Sequence, residues 1–256
     1  MEERVAAQRI TRGQTKPLED SVAIEEPLEI QINGQPWATT MRTPGHDSEL
    51  ALGLLYSEGL IVDYNDVTDI QIDDNIVLIQ GDISTEGHTR GFVRSSSCGV
   101  CGRASLDAIL ARQPPAISPN EFRITTDIVD SLVMELRAKQ SVFDSTGGVH
   151  AVALFNSKGQ ISDIAEDVGR HNAMDKIVGR SITQLPLSNR GVLLSGRVSF
   201  EMVQKAVMAG CPFVAAIGAP TTLAVDLARQ HGLTLVGFLR EGRFNVYCGA
   251  NRICPE

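Results

Sequence analysis

The sequence predicts an α/β fold, in which a three-layer α/β/α sandwich follows a smaller N-terminal α+β part. Beyond residue 120, short apolar stretches alternate with amphipathic ones, a pattern typical of parallel strands that helices cover on both faces. Before residue 113, short stretches of alternating apolar residues are separated by turn residues, which is typical of hairpins. The chain has 256 residues, of which 43% are hydrophobic, so it can bury a large core as one domain or two unequal ones.

A proline-rich stretch, QPPAISPN at residues 113–120, separates the two parts. Its three prolines interrupt strands and helices, so we place a domain boundary there. We predict an N-terminal α+β part over residues 21–118, which carries a C-x-x-C loop, and an α/β domain over residues 119–256. Residues 1–20 are polar and show no periodicity, and we predict that they form a mobile tail.

Turn and capping residues delimit the predicted elements. Asn33 and Gly34 form the turn of a hairpin, and Asp47 is expected to cap a helix that ends at Gly59. The N-terminal elements are strands over residues 28–32, 37–41, 68–72 and 76–80, and a helix over residues 49–56. The second part has helices over residues 127–139, 172–182, 199–209 and 221–230, and strands over residues 149–155, 160–164, 191–194, 213–217, 233–239 and 244–247.

The composition disfavours several classes of function. A net charge of −8 argues against general nucleic-acid binding, which depends on basic surface. No apolar run approaches the roughly 20 residues of a membrane-spanning helix, and no apolar segment follows the first residues as it does in a secretory signal. Together with an odd number of cysteines, five, this indicates a reducing cytoplasm and no membrane partner.

The strongest chemical motif is a C-x-x-C pair, Cys98 and Cys101, within the sequence SSSCGVCGR. Glycines and serines around the pair indicate a loop, and a helix is expected over residues 105–110, just after it. Helix N-terminal N–H groups and the flanking Arg94 and Arg103 favour anions, which raises the fraction of thiolate. The loop therefore presents sulfur for chemistry.

Three interpretations of this pair compete with an incidental occurrence. A structural zinc site needs four ligands, and Cys248 and Cys254 do not supply a second C-x-x-C, so we predict no bound metal. A thioredoxin-like redox pair follows the first strand of a βαβ unit, usually beside a Trp, whereas the single Trp here is Trp37. A nucleophilic cysteine that carries a group is the third. From the loop alone, the redox and carrier interpretations stay equal.

Three loops at the expected ligand-binding edge of the sheet carry arginines or helix N-termini. They are residues 194–197, 218–222 and 238–243. Each one alone is typical of an ordinary connection. Together they place Arg197, Arg240 and Arg243 at the edge where parallel strands end, which predicts a cradle for an anion such as phosphate.

Two further polar clusters interrupt apolar segments. They are TGGVH, which ends at His150, and EDVGRHN, which contains Asp167, Arg170 and His171. Such residues can line a site, although a lone histidine is more often structural and Asp167 is equally suited to cap a helix; which of them contact a ligand stays open. Zinc-dependent deaminases place a Glu two residues after a comparable His. Val152 occupies that position, so deaminase chemistry is disfavoured although the fold is compatible.

The motifs taken together resemble the formate dehydrogenase accessory sulfurtransferase family (FdhD). The segments that carry the resemblance are CGVCG at residues 98–102, TGGVH at 146–150, EDVGRHNAMDK at 166–176, SGRVSFE at 195–201, APTTLA at 219–224 and TLVGF at 234–238. The resemblance spans residues from about 25 to 250, with the segments in the family's order and spacing. It implies a cytidine-deaminase-like fold for the second part and a homodimer.

The resemblance also implies a sulfurtransferase that acts as a sulfur carrier. A cysteine desulfurase would load a persulfide onto Cys98, and Cys101 would resolve it, relay it or tune Cys98. The sulfur would then pass to the molybdenum of a bis(molybdopterin guanine dinucleotide) cofactor before that cofactor enters the formate dehydrogenase catalytic subunit, and a guanine nucleotide would mimic part of it. The family's cofactor-binding segment matches Phe238, Leu239, Arg240, Glu241, Gly242 and Arg243, to which the loop pattern adds Arg197. The alternatives are a thiol-disulfide oxidoreductase and a chaperone that only holds the cofactor.

Overall fold

The computed structural model describes residues 1–85, 114–119 and 121–255. The predicted Cys98 and Cys101 loop, and the helix expected after it, lie outside the described residues. The strands are β1 (Glu2–Thr11), β2 (Gln14–Ala23), β3 (Glu26–Ile32), β4 (Gln35–Arg42), β5 (Val67–Asp73), β6 (Ile76–Gly81), β7 (Ile124–Thr125), β8 (His150–Phe155), β9 (Ile161–Asp167), β10 (Gly191–Leu194), β11 (Phe213–Ala216), β12 (Thr234–Arg240), β13 (Arg243–Cys248) and β14 (Ile253–Cys254). The α-helices are α1 (Asp47–Glu58), α2 (Thr126–Arg137), α3 (Ser141–Thr146), α4 (Arg170–Arg180), α5 (Phe200–Met208) and α6 (Thr222–Gln230). None of the described helices is long and apolar enough to cross a membrane.

A six-stranded sheet in the order β13-β12-β11-β10-β8-β9 forms the middle layer of the second part. Strands β10, β11 and β12 are parallel, as predicted, whereas β8, β9 and β13 run antiparallel to their neighbours. Short loops join β8 to β9 and β12 to β13, and a short loop can only connect antiparallel strands. The sheet is therefore mixed, with a parallel centre.

Alternating residues of this sheet face two separate hydrophobic clusters. In β8, Val152 and Leu154 pack with α1, α4, α5 and α6, whereas Ala151, Ala153 and Phe155 pack with α2. Because successive side chains of a strand point to opposite faces, one strand can serve both clusters. The three-layer α/β/α arrangement and the mixed α/β class are confirmed.

The N-terminal part contains a four-stranded sheet in the order β4-β3-β6-β5, with α1 packed beside it. Asn33 and Gly34 have φ of 50° and 76°, the left-handed conformation that a tight hairpin turn needs, so the predicted hairpin is confirmed. Gly59 ends α1 with φ 72°, also as predicted. The prediction that Asp47 caps α1 is wrong, because Asp47 begins the helix and its carboxylate accepts from Arg42 at 3.0 and 2.9 Å.

Helices α1 and α4 cross with their backbones in contact, at Gly53 and Gly179. A Cβ atom on Gly53 would overlap the carbonyl of Asp175, and one on Gly179 would overlap the carbonyl of Glu49. Only glycine allows this approach, which buries α1 against the second part. One hydrophobic cluster consequently extends from β3 and α1 to the central sheet, across the boundary predicted near residue 118, which itself stays a prediction.

Residues 1–23 form an antiparallel hairpin of β1 and β2, and β2 packs against α3. Arg12 and Gly13 make its turn with φ of 47° and 82°. Most side chains on both faces are exposed, so the strands need no apolar alternation. Their lack of periodicity gave no sign of this hairpin, and the mobile tail predicted over residues 1–20 stays a prediction.

Candidate functional site

The loops that follow β10, β11 and β12 lie side by side at one edge of the central sheet. The N–H of Gly218 donates to the carbonyl of Gly196 at 3.1 Å, and the N–H of Phe238 donates to the carbonyl of Gly218 at 3.0 Å. A Cβ atom on Gly218 would come within 2.5 Å of the Gly196 carbonyl oxygen. We call residues 195–199 and 217–221, together with residues 238–243 at the end of β12 and its turn into β13, the strand-end ledge. It is the edge at which α/β sheets bind ligands.

One end of the ledge holds a cavity of about 280 Å³ lined by Phe238, Arg240, Arg243 and Asn245. Phe238 has φ 53° and is 46% exposed, where the register between β12 and β13 shifts. A left-handed backbone conformation is unfavourable for an aromatic residue, so keeping Phe238 in this position lowers the stability of the fold. A planar ring beside two guanidinium groups suits a ligand that has an aromatic base and anionic groups. We call this the Phe238 cavity.

The predicted segment 238–243 divides into residues that can contact a ligand and residues that shape the loop. Leu239 is fully buried in the cluster around α2, so its side chain does not face the cavity. Gly242 turns the chain with φ 76°, and its N–H donates to Asp130 Oδ1 at 2.6 Å. Glu241 is exposed and does not line the cavity. Of the predicted cofactor-binding segment, Phe238, Arg240 and Arg243 line the cavity, and the binding role of the segment stays a prediction.

Sequence reasoning missed Asn245, although the strand alternation contains the signal. Arg243 and Asn245 are two apart in β13, so they lie on the same face. Arg240 is fixed by its Nη1, which donates to the carbonyls of Ile217 at 2.6 Å and Leu239 at 2.7 Å. Its guanidinium is thereby tied to the loop after β11.

Arg197 does not line the Phe238 cavity; it lies near His150. His150 begins β8 and lies opposite Asp167, the last residue of β9, in the strand register. Arg170 and His171 lie in the first turn of α4. The predicted cradle of three arginines is therefore split between two places on the same ledge. Arg197 thus lies with residues of the segments TGGVH and EDVGRHN, for which the sequence left contact with a ligand open.

A short contact between helices organises this second place. His171 Nε2 lies 2.6 Å from Glu201 Oε2, which joins the first turns of α4 and α5. The close contact with His171 lowers the pKa of Glu201, against the effect of burial. Burial lowers the pKa of His150, and the charges of Arg170, His171 and Arg197 act in the same direction. We call His150, Arg170, His171, Arg197 and Glu201 the polar cluster.

Asp167 anchors the polar cluster from beneath and does not cap α4. Its fully buried carboxylate accepts from the N–H of Gly169 at 2.8 Å, the N–H of Thr43 at 3.2 Å and Asn172 Nδ2 at 3.1 Å. Lys176 Nζ lies 2.8 Å away. Burial raises the pKa of Asp167, while Lys176 and these donors act in the opposite direction. Asp167 therefore fixes the turn that presents Arg170 and His171, and the backbone just after β4 is part of that anchor.

The FdhD/NarQ family model matches residues 23–254. The chain belongs to this family. Relatives named sulfur carrier protein FdhD include one from Streptomyces coelicolor, 48% identical over 263 residues that cover 96% of this chain and 93% of the relative. Another, from Sulfurisphaera tokodaii, is 43% identical over 249 residues, with coverage of 94% and 95%.

A solved structure supports the family assignment at the level of the fold. The crystal structure described as a formate dehydrogenase accessory protein from Desulfotalea psychrophila has a TM-score of 0.81 and 25% identity to this chain, with 99% of each chain covered. The FdhD resemblance is thus confirmed. The cytidine-deaminase-like character of the second part stays a prediction.

Within this FdhD/NarQ family chain, two of the three described cysteines are poorly suited to nucleophilic chemistry. Burial raises the pKa of Cys211 to about 12 and also raises that of Cys248, so both thiols are protonated at neutral pH. Cys254 lies at the end of the fold, on β14. Among the described residues, no cluster of three or more His, Cys, Asp or Glu side chains is arranged to hold a metal ion.

Proposed function

We propose that this chain is a sulfur carrier that accepts persulfide sulfur on Cys98 and delivers it for formate dehydrogenase maturation. The observation that carries the proposal is the match to relatives named sulfur carrier protein FdhD, at 48% identity over 96% of the chain. The C-x-x-C pair in this chain supplies the thiols that such a role requires. The Desulfotalea psychrophila structure, described as a formate dehydrogenase accessory protein, supports formate dehydrogenase as the recipient.

A cysteine desulfurase is the proposed donor. The Cys98 thiolate attacks the outer sulfur of the desulfurase persulfide, an S–S bond forms on Cys98, and the desulfurase cysteine leaves as a thiolate. The transfer is a thiol exchange, so it needs no outside oxidant or reductant. Arg94 and Arg103 flank the pair in sequence and favour the anionic sulfur at both stages. Cys101 is the proposed resolving or relay thiol.

The proposed acceptor is the molybdenum of a bis(molybdopterin guanine dinucleotide), which is the substrate of the carrier. Its guanines and pyrophosphates fit the donor set of the Phe238 cavity, where an exposed ring, two guanidinium groups and the Asn245 amide meet. The cavity of about 280 Å³ is near the lower end of the range for small-molecule sites, roughly 300–1,000 Å³, so it suits one nucleotide moiety. A cofactor with two guanosine groups would occupy two such cavities, which supports the proposal that the protein works as a homodimer.

The alternatives differ in what the two thiols do. A thiol-disulfide oxidoreductase would cycle through a Cys98–Cys101 disulfide, and a chaperone would need neither thiol. The proposed cytoplasmic location follows from thiol chemistry that a reducing compartment maintains.

The proposal is tested by loading the purified chain with a cysteine desulfurase and free cysteine, and then mapping the added sulfur by mass spectrometry. We expect an increase of one sulfur atom on the peptide that contains Cys98. Cys98→Ser should abolish it, and the matched control Cys254→Ser should leave it intact. Sulfur found only on Cys211, Cys248 or Cys254 would contradict the role of Cys98, and a stable Cys98–Cys101 disulfide without added sulfur would favour the oxidoreductase.

A further inference from the structure

The polar cluster contains buried hydrogen-bonding groups that the protein leaves without partners. Among the described residues, Arg170 Nε and Ser199 Oγ are buried and have no hydrogen-bond partner. A buried hydrogen-bonding group without a partner costs folding free energy, because it has lost its hydrogen bonds to water. Two such groups at one ligand-binding edge indicate a place that something else completes.

The charges of the polar cluster do not cancel. Whatever the protonation of His171, Arg170 and Arg197 are cationic and Glu201 is the one carboxylate of the cluster, so positive charges outnumber the negative one. The neighbouring Asp167 is already compensated by Lys176 at 2.8 Å. With His150 neutral, the cluster carries a net positive charge, which favours an anion.

The N-termini of two helices meet at the polar cluster, where His171 in the first turn of α4 contacts Glu201 in the first turn of α5. Helix α4 has 11 residues and starts after Gly169; helix α5 has nine and starts after Ser199. Neither helix has a side-chain cap at its N-terminus. Uncapped N-terminal N–H groups and the positive end of the helix dipole add to the attraction for an anion.

We propose that the polar cluster is a binding site for a phosphate-type oxyanion, separate from the Phe238 cavity. Arg170 and Arg197 supply the charge, and Ser199 Oγ supplies a hydroxyl donor. The His171–Glu201 pair is the positioning element, because it fixes the two first turns relative to each other. These donors belong to two separate elements, the first turn of α4 and the loop between β10 and α5, so they can surround a tetrahedral anion.

The position of the site on the ledge defines the possible ligands. His150 begins β8 and Phe238 lies near the end of β12, and these strands are three spacings apart across β10 and β11. At about 4.8 Å per spacing, the two places are separated by roughly 14 Å. The oxyanion has two possible sources, the phosphate end of a nucleotide whose base lies in the Phe238 cavity or a separate phosphate compound. In the first case the site extends the proposed function and rests on it.

The test is titration calorimetry of the intact protein with pyrophosphate and, separately, with GDP. We expect pyrophosphate to bind, and Arg170→Gln and Arg197→Gln each to weaken that binding by about tenfold or more. Arg137→Gln is the matched control and should leave binding unchanged, because Arg137, at the end of α2, forms an exposed ion pair with Asp144 of α3. Arg197 is exposed, so its variant is expected to fold even where Arg170→Gln does not.

The two sources give different results with GDP. A single ligand that spans the ledge predicts that Arg243→Gln and Arg197→Gln both weaken GDP binding, whereas a separate phosphate compound predicts that Arg197→Gln affects pyrophosphate alone. Pyrophosphate binding that is absent, or unchanged in both arginine variants, would overturn the site. Sulfur loading on Cys98, measured in the same samples, reports on the proposed function independently, because Cys98→Ser should lose the sulfur and retain pyrophosphate binding.

Discussion

Replacing Asp167 with Asn isolates the contribution of the buried anchor. The change keeps the shape of the side chain but leaves the Lys176 ammonium, whose side chain is 2% exposed, without its counter-charge. Breaking a buried ion pair by neutralising one partner costs about 3–5 kcal/mol. In a chain of this size each kcal/mol lowers Tm by about 2–4 °C, so we expect a fall of roughly 6–20 °C.

The assay is urea unfolding followed by circular dichroism, with thermal unfolding as a second measurement. Asp144→Asn provides the matched control, since its ion pair with Arg137 is exposed and typically contributes about 0.2–1 kcal/mol. The double variant Asp167→Asn with Lys176→Met should recover part of the loss, because the uncompensated charge is removed. If Asp167→Asn proves as mild as Asp144→Asn, the reasoning that Asp167 anchors the site is refuted.

Three further perturbations test other parts of the structure. Phe238→Gly should raise the free energy of unfolding by up to about 1 kcal/mol, because glycine adopts a φ of 53° without strain. The same variant should weaken GDP binding by about tenfold through loss of the ring, and equal GDP affinity would contradict the role of the ring. Gly179→Ala should destabilise the fold by about 1–3 kcal/mol or more in urea unfolding, because the added Cβ atom overlaps the backbone of α1. In the control Gly232→Ala the added Cβ atom meets no neighbour, so this variant should show only the cost of the positive φ. Because the pKa of His150 is lowered in the folded state, the unfolded chain binds a proton near pH 6.5 that the folded chain does not. The contribution of His150 to the free energy of unfolding is therefore complete above about pH 6.5 and is lost as pH falls toward the lowered pKa. His150→Asn should reduce the loss of stability between pH 7 and 5, and an unchanged pH profile would contradict the burial of a neutral imidazole.

Periodicity and turn chemistry predicted most of the described secondary structure. The alternation of residues 28–32 and the Asn33-Gly34 turn define β3 and β4 because both depend on local backbone preferences. The helix predicted over residues 127–139 appears as α2, with Val129, Leu132 and Leu136 buried. The β1–β2 hairpin escaped prediction because both of its faces are largely exposed, which removes the apolar signal.

The site was harder to predict than the fold because its chemistry depends on which way each side chain points. The loops after three parallel strands were correctly placed at one edge, since topology alone requires it. Whether Arg197 joins Arg243 or His150 depends on the path of a single loop, and Leu239 is buried because β12 is covered on that face by α2. The buried pair of Asp167 and Lys176 links residues that sequence spacing presents as an ordinary helix start.

The most direct measurement follows radioactive sulfur from the loaded carrier to its recipient. The chain is loaded with ³⁵S by a cysteine desulfurase, freed of the donor, and mixed with molybdenum bis(molybdopterin guanine dinucleotide) and formate dehydrogenase apoprotein. The account predicts that label leaves Cys98, appears with the enzyme-bound cofactor and accompanies formate dehydrogenase activity, and that Cys98→Ser gives neither. Active enzyme produced equally well by Cys98→Ser, with no label in the cofactor, would contradict the sulfur-carrier account.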